Sequence, residues 1–299
     1  MRYQPKISII LAFLDPGPAF KLAIQSVFAQ TFTHWELILV DDGSTDGSLD
    51  FARALNDPRV RVFSDGMQRN LNYRLNQMID LAEGEYIARM DADDVMHPER
   101  LERQYALLQK HPDNTVVGSS AWSIDVDDRV VGLRPMRNRQ SQGLRVTQSF
   151  IHPSVTASAA WFRRYRYSNS FIFHRSQDAD LWLRSSPESQ FLTIEDPLLF
   201  YRELGNFSFE KYTGTQLGLI ALGHRSASTR PLQGLAVITI ASAKLWITAV
   251  ASILGVTHVL IRRRSTAMTS AAIMKAESVL DQVRSAPLPV HRNTFPMAG

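Results

Sequence analysis

Glu36-Leu37-Ile38-Leu39-Val40-Asp41-Asp42-Gly43-Ser44-Thr45-Asp46-Gly47-Ser48 is an apolar run that stops on two carboxylates and a cluster of turn-forming residues. A continuous rather than alternating apolar stretch marks a strand buried on both faces, as in a parallel sheet, and the Asp/Gly/Ser/Thr cluster is the turn that leaves it. Upstream, Lys6 to Leu11 has the same character. Between the two runs, Ala19, Phe20, Ala23, Ile24, Val27 and Phe28 recur at helical spacing within Ala19 to Gln30. Strand, helix, strand in so short a span is a βαβ unit, which puts the carboxyl ends of both strands on the edge where open α/β sheets bind ligands.

Downstream, Tyr86-Ile87-Ala88-Arg89-Met90-Asp91-Ala92-Asp93-Asp94 repeats the device, with three carboxylates in four residues at the end of a strand-like run. Such a cluster repels itself unless a cation occupies it. Mg²⁺ and Mn²⁺ prefer carboxylate oxygens, and Mg²⁺ fills its remaining positions with water and substrate phosphates. Taken alone, the triplet is either a metal and diphosphate site or a solvated acidic turn. The topology predicts that Asp41, Asp42, Asp91 and Asp93 face a common crevice.

Ile7-Ser8-Ile9-Ile10, Ser26-Val27-Phe28-Ala29-Gln30-Thr31-Phe32, the Glu36–Ser48 stretch and Gly84-Glu85 with the Tyr86–Asp94 stretch resemble successive blocks of the family 2 inverting glycosyltransferases. The resemblance resumes at His152-Pro153-Ser154, at Gln177-Asp178-Ala179-Asp180-Leu181-Trp182-Leu183-Arg184 and at Pro197-Leu198-Leu199-Phe200-Tyr201-Arg202. It implies an α/β GT-A fold, a Rossmann-like, mostly parallel sheet flanked by helices, here with a C-terminal helical appendage. It also implies roles. Asp42, with Asp41 and Asp91, would bind the nucleotide, usually through uracil; Asp91 and Asp93 would form the Asp-x-Asp motif, with Asp93 in direct contact with the metal. Asp178 matches the general base, the aspartate of a Glu-Asp pair that precedes an apolar residue and a tryptophan. The alternative for Asp178 is a carboxylate at a helix N-terminus. His152 falls on the acceptor side, as a substrate contact or a structural loop histidine, and Trp182 and Arg184 are carried over as substrate contacts.

Three departures stand out. The usual Pro-Val-Tyr-Asn after the first strand is Ala12-Phe13-Leu14-Asp15, the glutamate beside the base is Gln177, and a histidine after Tyr-Arg is Leu204. Losing the glutamate removes a negative charge beside Asp178, whose pKa should then be raised less.

The chemistry requires these groups. Moving a sugar from a nucleoside diphosphate, here expected to be uridine diphosphate, to an acceptor hydroxyl needs charge stabilisation on the diphosphate, which a divalent cation supplies. It also needs a base at the hydroxyl, which contributes on the order of 10²–10⁴-fold. A single displacement inverts the anomeric centre and needs no nucleophilic side chain, so the absence of cysteine and of a Gly-x-Ser-x-Gly elbow fits. Two rival readings are a non-catalytic nucleotide-sugar-binding module in a glycan-assembly complex and a nucleotidyltransferase. The latter usually needs a Gly-rich, basic triphosphate loop, which does not follow the first strand.

Composition bounds the rest. The 299 residues, 44% of them apolar, suffice for one large core. Zero cysteines exclude disulfides and thiolate metal sites and suit a reducing compartment. Met1 to Lys6 runs into the first strand with no signal-peptide core, so a cytoplasmic location is expected, at the cytoplasmic face of a membrane. His97 before Pro98 reads as flanking the N-terminus of a helix over Pro98 to His111. Arg163-Arg164-Tyr165-Arg166-Tyr167 belongs to no nucleic-acid module and reads as a solvated face, so no nucleic-acid partner is expected.

The expected organisation is a catalytic domain over 1–210, an apolar helical appendage over 211–261 and a basic tail over 262–299. The tail carries six Lys/Arg and two Asp/Glu, a net of +4 that equals the charge of the whole chain. Leu235 to Ile261 holds only Lys244 and His258 as potentially charged groups. Lys244, Thr248, Ala251, Gly255, His258 and Arg262 would form one small-and-polar helical stripe. A span, an in-plane or re-entrant membrane helix, and a helix packed on the domain all remain open. A span would put Arg262-Arg263-Arg264 and the catalytic domain on opposite sides, against the preference of basic residues for the cytoplasm. The expected partners are a nucleoside-diphosphate sugar donor, a glycan or lipid-linked acceptor of surface polysaccharide synthesis, and a membrane surface.

Overall fold

The computed structural model describes residues 4–136, 150–203, 208–254 and 266–290. Its first half is the expected alternation of strand and helix: β1 (Ile7–Phe13), α1 (Ala19–Phe28), β2 (Trp35–Asp41), α2 (Ser48–Arg53), β3 (Val60–Phe63), α3 (Leu71–Leu81) and β4 (Tyr86–Asp91). These four strands lie in the order β3-β2-β1-β4, all parallel. Every residue of β2 is buried because both faces of the sheet are covered. Side chains alternate across the sheet, so Ile7, Ile9 and Leu11 pack with Phe20, Ala23, Ile24 and Val27 of α1, while Ile10, Ile38 and Val40 pack with Leu75, Met78 and Ile79 of α3.

Register places the acids. Ala12 pairs with Asp91 and Phe13 with Asp41, so the carboxyl end of β1 lies between the ends of β2 and β4.

Beyond β4 come β5 (Val95–Met96), α4 (Arg100–Leu108), β6 (Thr115–Ile124), β7 (Val130–Arg134), β8 (Thr156–Ser158), α5 (Ala159–Arg164), α6 (Gln177–Ser185) and β9 (Gln190–Arg202). The sheet continues β4-β8-β6-β9-β5, with β8 antiparallel to both neighbours, β9 parallel to β6, and β5 antiparallel to β9. The all-parallel run therefore belongs to the N-terminal half, and the whole is a mixed sheet with one further parallel pair, β6 and β9. The register of β6 and β9 shifts near Ser120 and Pro197, where a proline, which cannot donate to the ladder, is tolerated. The helix expected over Pro98 to His111 is α4, and His97 Nδ1 accepts from Glu99 N (3.1 Å) at its start.

α7 (Phe209–Ala227) and α8 (Pro231–Ile253) form an antiparallel hairpin. Their backbones approach at Gly223 and Gly234, where a Cβ on Gly234 would lie 2.5 Å from Gly223 O. Asp180 of α6, fully buried, pairs with Arg225 of α7 (3.2 Å) and so ties the hairpin to the catalytic half.

The basic tail expected over 262–299 is not a free extension where it is described. Thr266 bridges to Leu133 of β7, and α9 (Ser270–Arg284) buries Ala276, Leu280 and Val283 against Leu22, Val95, Trp122 and Phe200. Charge counting hides this, because three apolar residues at helical spacing decide where the helix goes while Lys275 and Asp281 face solvent. The chain thus leaves the domain through α7 and is back on it by residue 266, so a single membrane crossing by α8 does not fit. Gly255, His258, Arg262, Arg263 and Arg264 lie outside the described residues, as does Leu204.

Candidate active site

The β2 end is built from hydrogen bonds. Asp41 is spent on its own turn, accepting from Ser44 N (2.8 Å) and Ser64 Oγ (2.8 Å), and it does not line the cleft. These bonds give Asp41 a turn-building role. Asp42 accepts from Arg69 N (2.7 Å), Asn70 N (3.2 Å) and Arg74 Nε (2.8 Å). Gly43 adopts φ +93°, a conformation suited to glycine, and a Cβ placed there would lie 3.5 Å from the Met67–Gln68 backbone. Asp42 lines a cleft of ≈ 690 Å³ whose walls include Phe13, Leu14, Arg74, Arg175 and Gln177. Phe13, in that wall, packs its ring against Phe20 (4.7 Å between centroids).

Arg74 escaped the sequence reading. It is fully buried on α3 and pairs with both Asp42 and Asp65 (2.6 Å). The available signal was a cation beside Leu75 on the apolar face of a helix, since a buried charge requires a partner.

The β4 end differs. Ligand oxygens of Asp91, Asp93 and Asp94 lie within 4.8 Å of one another. Burial, then the repulsion of neighbouring carboxylates, raises the pKa of Asp93 and pushes that of Asp94 well up. Asp94 Oδ1 accepts from Arg202 N (3.0 Å), but its Oδ2 is buried without a partner. An all-carboxylate cluster with an orphaned oxygen fits a hard divalent cation, and Asp94 joins the two residues singled out from sequence. Arg89 was also missed. Strand alternation puts it on the face of Asp91, with which it forms a bidentate ion pair, one bond at 2.7 Å.

α6 presents Asp178 in its first turn, half-buried and beside Gln177 in the cleft wall. Burial raises the pKa of Asp178, while a backbone hydrogen bond and the Arg89 guanidinium lower it. Arg89 therefore acts electrostatically on both Asp91 and Asp178. The remaining residues carried over sit elsewhere. His152 is 8% exposed and hydrogen-bonded to Tyr167 Oη (2.8 Å), and burial holds its pKa well below the ordinary value. Trp182 is 3% exposed among Phe150, His152, Trp161 and Phe191, which makes it core rather than a substrate contact. Arg184 is held by Asp180 (2.8 Å) and the Arg166 carbonyl (2.6 Å), which clamp the helix and leave little for a substrate. The basic cluster before it is paired too, Arg166 with Asp80 (2.6 Å) and Arg164 with Glu188.

Comparison with known proteins agrees with this geometry. The family model for glycosyl transferase family 2 matches residues 8–171. The putative glycosyltransferase EpsE of Bacillus subtilis (strain 168) is 34% identical over 189 residues, 62% of this chain and 68% of that one. The O-antigen biosynthesis glycosyltransferase WbnJ of Escherichia coli is 28% identical over 213 residues, 68% of this chain and 81% of that one. Among solved structures, the mannosyltransferase PcManGT of Pyrobaculum calidifontis, in complex with GDP-Man and Mn²⁺, superposes with a TM-score of 0.59 at 13% identity, covering 95% of this chain and 86% of that one. A βαβ sheet with acids at the ends of β2 and β4, matched by the family model over more than half its length, places this chain in glycosyl transferase family 2, as a glycosyltransferase of GT-A fold.

Proposed function

We propose that this glycosyltransferase moves a sugar from a nucleoside-diphosphate sugar, uridine-linked, to a hydroxyl of a glycan or lipid-linked acceptor in surface polysaccharide synthesis, with inversion and with a divalent cation. One observation carries the reading. Ala12, the strand partner of Asp91, lines the same cleft as Asp42 and as Gln177, the neighbour of Asp178, which supports one reaction space between the acid cluster and the base.

Asp42 and the α3 entry would receive the base of the nucleotide in the ≈ 690 Å³ cleft. Arg175, which lines the same cleft and has no ion pair among the described residues, is available to the diphosphate. Asp93 and Asp94, with Asp91, would hold Mg²⁺ or Mn²⁺, which when bound offers Lewis-acid stabilisation of the diphosphate leaving group. Asp178 takes the acceptor proton as that oxygen attacks C1, while the C1–O bond breaks and its electron pair leaves with the diphosphate. A raised pKa makes Asp178 a stronger base for that step.

We place the enzyme at the cytoplasmic face of a membrane. α8 is long and apolar enough to span one, with a mean hydropathy of 1.7 over a window only 22% buried. The return of the chain to the domain favours its lying in the interface plane. The catalytic domain would then comprise 1–210 together with the helix near the C-terminus, and 211–254 the appendage.

The test is a mass-spectrometric screen of sugar-nucleotide turnover by the full chain. Turnover of a UDP-sugar that chelator abolishes is the expected result. Turnover restricted to GDP-sugars would reassign the nucleotide, and full activity in excess EDTA would end the metal role.

A further inference from the structure

The first turn of α6 is a wall between two cavities. Gln177 faces the donor cleft, and Asp178 lines a second cavity of ≈ 140 Å³ enclosed by α6, α7 and α8. Thr215 borders both, so the two adjoin next to the carboxylate read above as the base.

The second cavity is more polar than a gap between packed helices needs to be. Ser176 and Gln216 line it at 1% and 4% exposure, and Ser176 Oγ and Gln216 Oε1 have no hydrogen-bond partner. Native proteins keep few such atoms, because each forgoes hydration without replacement. Lys244 is the second feature. The stripe of α8 that packs inward is Gly234, Val237, Ala241, Thr248 and Ala251, and helical spacing puts Lys244 beside it between Ala241 and Thr248, where it is exposed to solvent. It lines the cavity and has no ion pair among the described residues.

We propose that this cavity is the acceptor subsite and that the acceptor is a sugar joined through phosphate or diphosphate to a lipid. The proposal rests on the reading of Asp178 as the base. The sugar's hydroxyls meet Asp178, Ser176 Oγ and Gln216 Oε1, and Lys244 meets the phosphate as a compact point charge. The cavity is too small for a lipid, so the chain lies outside it. Ile240, 41% exposed on the rim, leads there. Beyond it α8 exposes Leu235 (59%), Trp246 (73%), Ile247 (56%) and Ile253 (84%), large apolar side chains available to a lipid. A free phosphate would use Lys244 but not this surface. A neutral lipid would use the surface but not Lys244.

The test is calorimetric titration of the full chain with farnesyl phosphate below its micelle concentration, with inorganic phosphate and farnesol as separate arms. Farnesyl phosphate is expected to bind at least tenfold more tightly than either. Lys244→Glu should weaken it at least tenfold and Lys244→Arg should preserve it, while UDP affinity and thermal unfolding stay as in the wild type and establish that the variants fold. Gln216→Leu should raise the KM of a lipid-linked sugar acceptor with little change in kcat. Equal binding of farnesyl phosphate by the wild type and Lys244→Glu overturns the subsite. Equal binding of inorganic phosphate reduces it to an anion site, and equal binding of farnesol to an apolar surface, and either result overturns the lipid-phosphate assignment. Asp178→Asn separates this inference from the one beneath it. If that variant still transfers sugar, the base assignment fails even where the farnesyl phosphate results hold; if it does not transfer but Lys244→Glu binds normally, only the acceptor subsite fails.

Discussion

Two strands of the same sheet end on acids and treat them in opposite ways. At the end of β2, Asp41 and Asp42 accept from backbone N–H groups, Ser64 and the buried Arg74. At the end of β4, Asp93 and Asp94 are crowded and raised in pKa, and one Asp94 oxygen has no partner. The first cluster needs no cation. The second keeps an oxygen that a cation would satisfy. Carboxylates at the end of a strand therefore do not by themselves mark a metal site; what distinguishes one is the oxygen left over after the protein has made its own hydrogen bonds.

The largest effect should break the β4 cluster. Asp93→Ala is expected to lower transfer by several orders of magnitude, with chelator doing the same to the wild type. Binding linkage adds a readout apart from activity. Mn²⁺ at about 100 times its Kd should stabilise the wild type by about 2.7 kcal/mol, roughly 4 °C in Tm, and Asp93→Ala should lose that gain. A Tm gain of equal size in Asp93→Ala would place the ion elsewhere.

Next comes the base. Asp178→Asn should reduce kcat by about 10²–10⁴-fold while UDP affinity changes less than about tenfold. The same group sets a pH signature. Its folded pKa is raised, so the ionised base is lost as pH falls through a value above the ordinary ~3.9, and kcat/KM should decline on the acid side there. The stability sign is the reverse of a salt-bridged aspartate. A raised pKa means the native state holds the proton more tightly, so this group's contribution declines as pH rises from the unfolded value through the folded one. Asp178→Asn should therefore raise Tm at pH 7. A lower Tm would recast Asp178 as a structural helix-end carboxylate.

Breaking the β2 cluster should appear as lost stability. Arg74→Met strips a buried cation from Asp42 and is expected to cost about 3–5 kcal/mol in chemical denaturation, together with weaker UDP binding. Asp41→Asn, by contrast, disturbs only a turn. It should cost about 1–2 kcal/mol and leave UDP affinity within a few-fold. If Asp41→Asn abolished UDP binding instead, the two neighbours would have to exchange roles. The smallest expected effect is on vesicle binding. Co-sedimentation of the full chain with anionic lipid should weaken with salt but persist, because burial of the apolar face of α8 is not screened. A protein that stays in the supernatant at every salt concentration would leave α8 an ordinary, if unusually exposed, packing helix.

Local pattern reached far into this molecule. Unbroken apolar runs, helical spacing between them and acids at their ends determined the βαβ half and the shared edge where β2 and β4 end on acids, because strand period, helix period and crossover hand are properties of short stretches. Which polar atoms are already satisfied was beyond its reach. Asp41 and Asp42 are adjacent and identical, yet Ser64 and Arg74, 23 and 32 residues away, decide that one builds a turn and the other faces the cleft. Trp182 and Arg184 belong to the same block as Asp178, yet the rotation of α6 sends one into an aromatic core and the other to Asp180. The same holds at the C-terminus, where a tail that reads as basic is pinned by Ala276, Leu280 and Val283 to Leu22, Val95 and Trp122, more than 140 positions earlier in the chain. Hydrogen-bond satisfaction and burial depend on partners distant in sequence, so only the tertiary structure decides them.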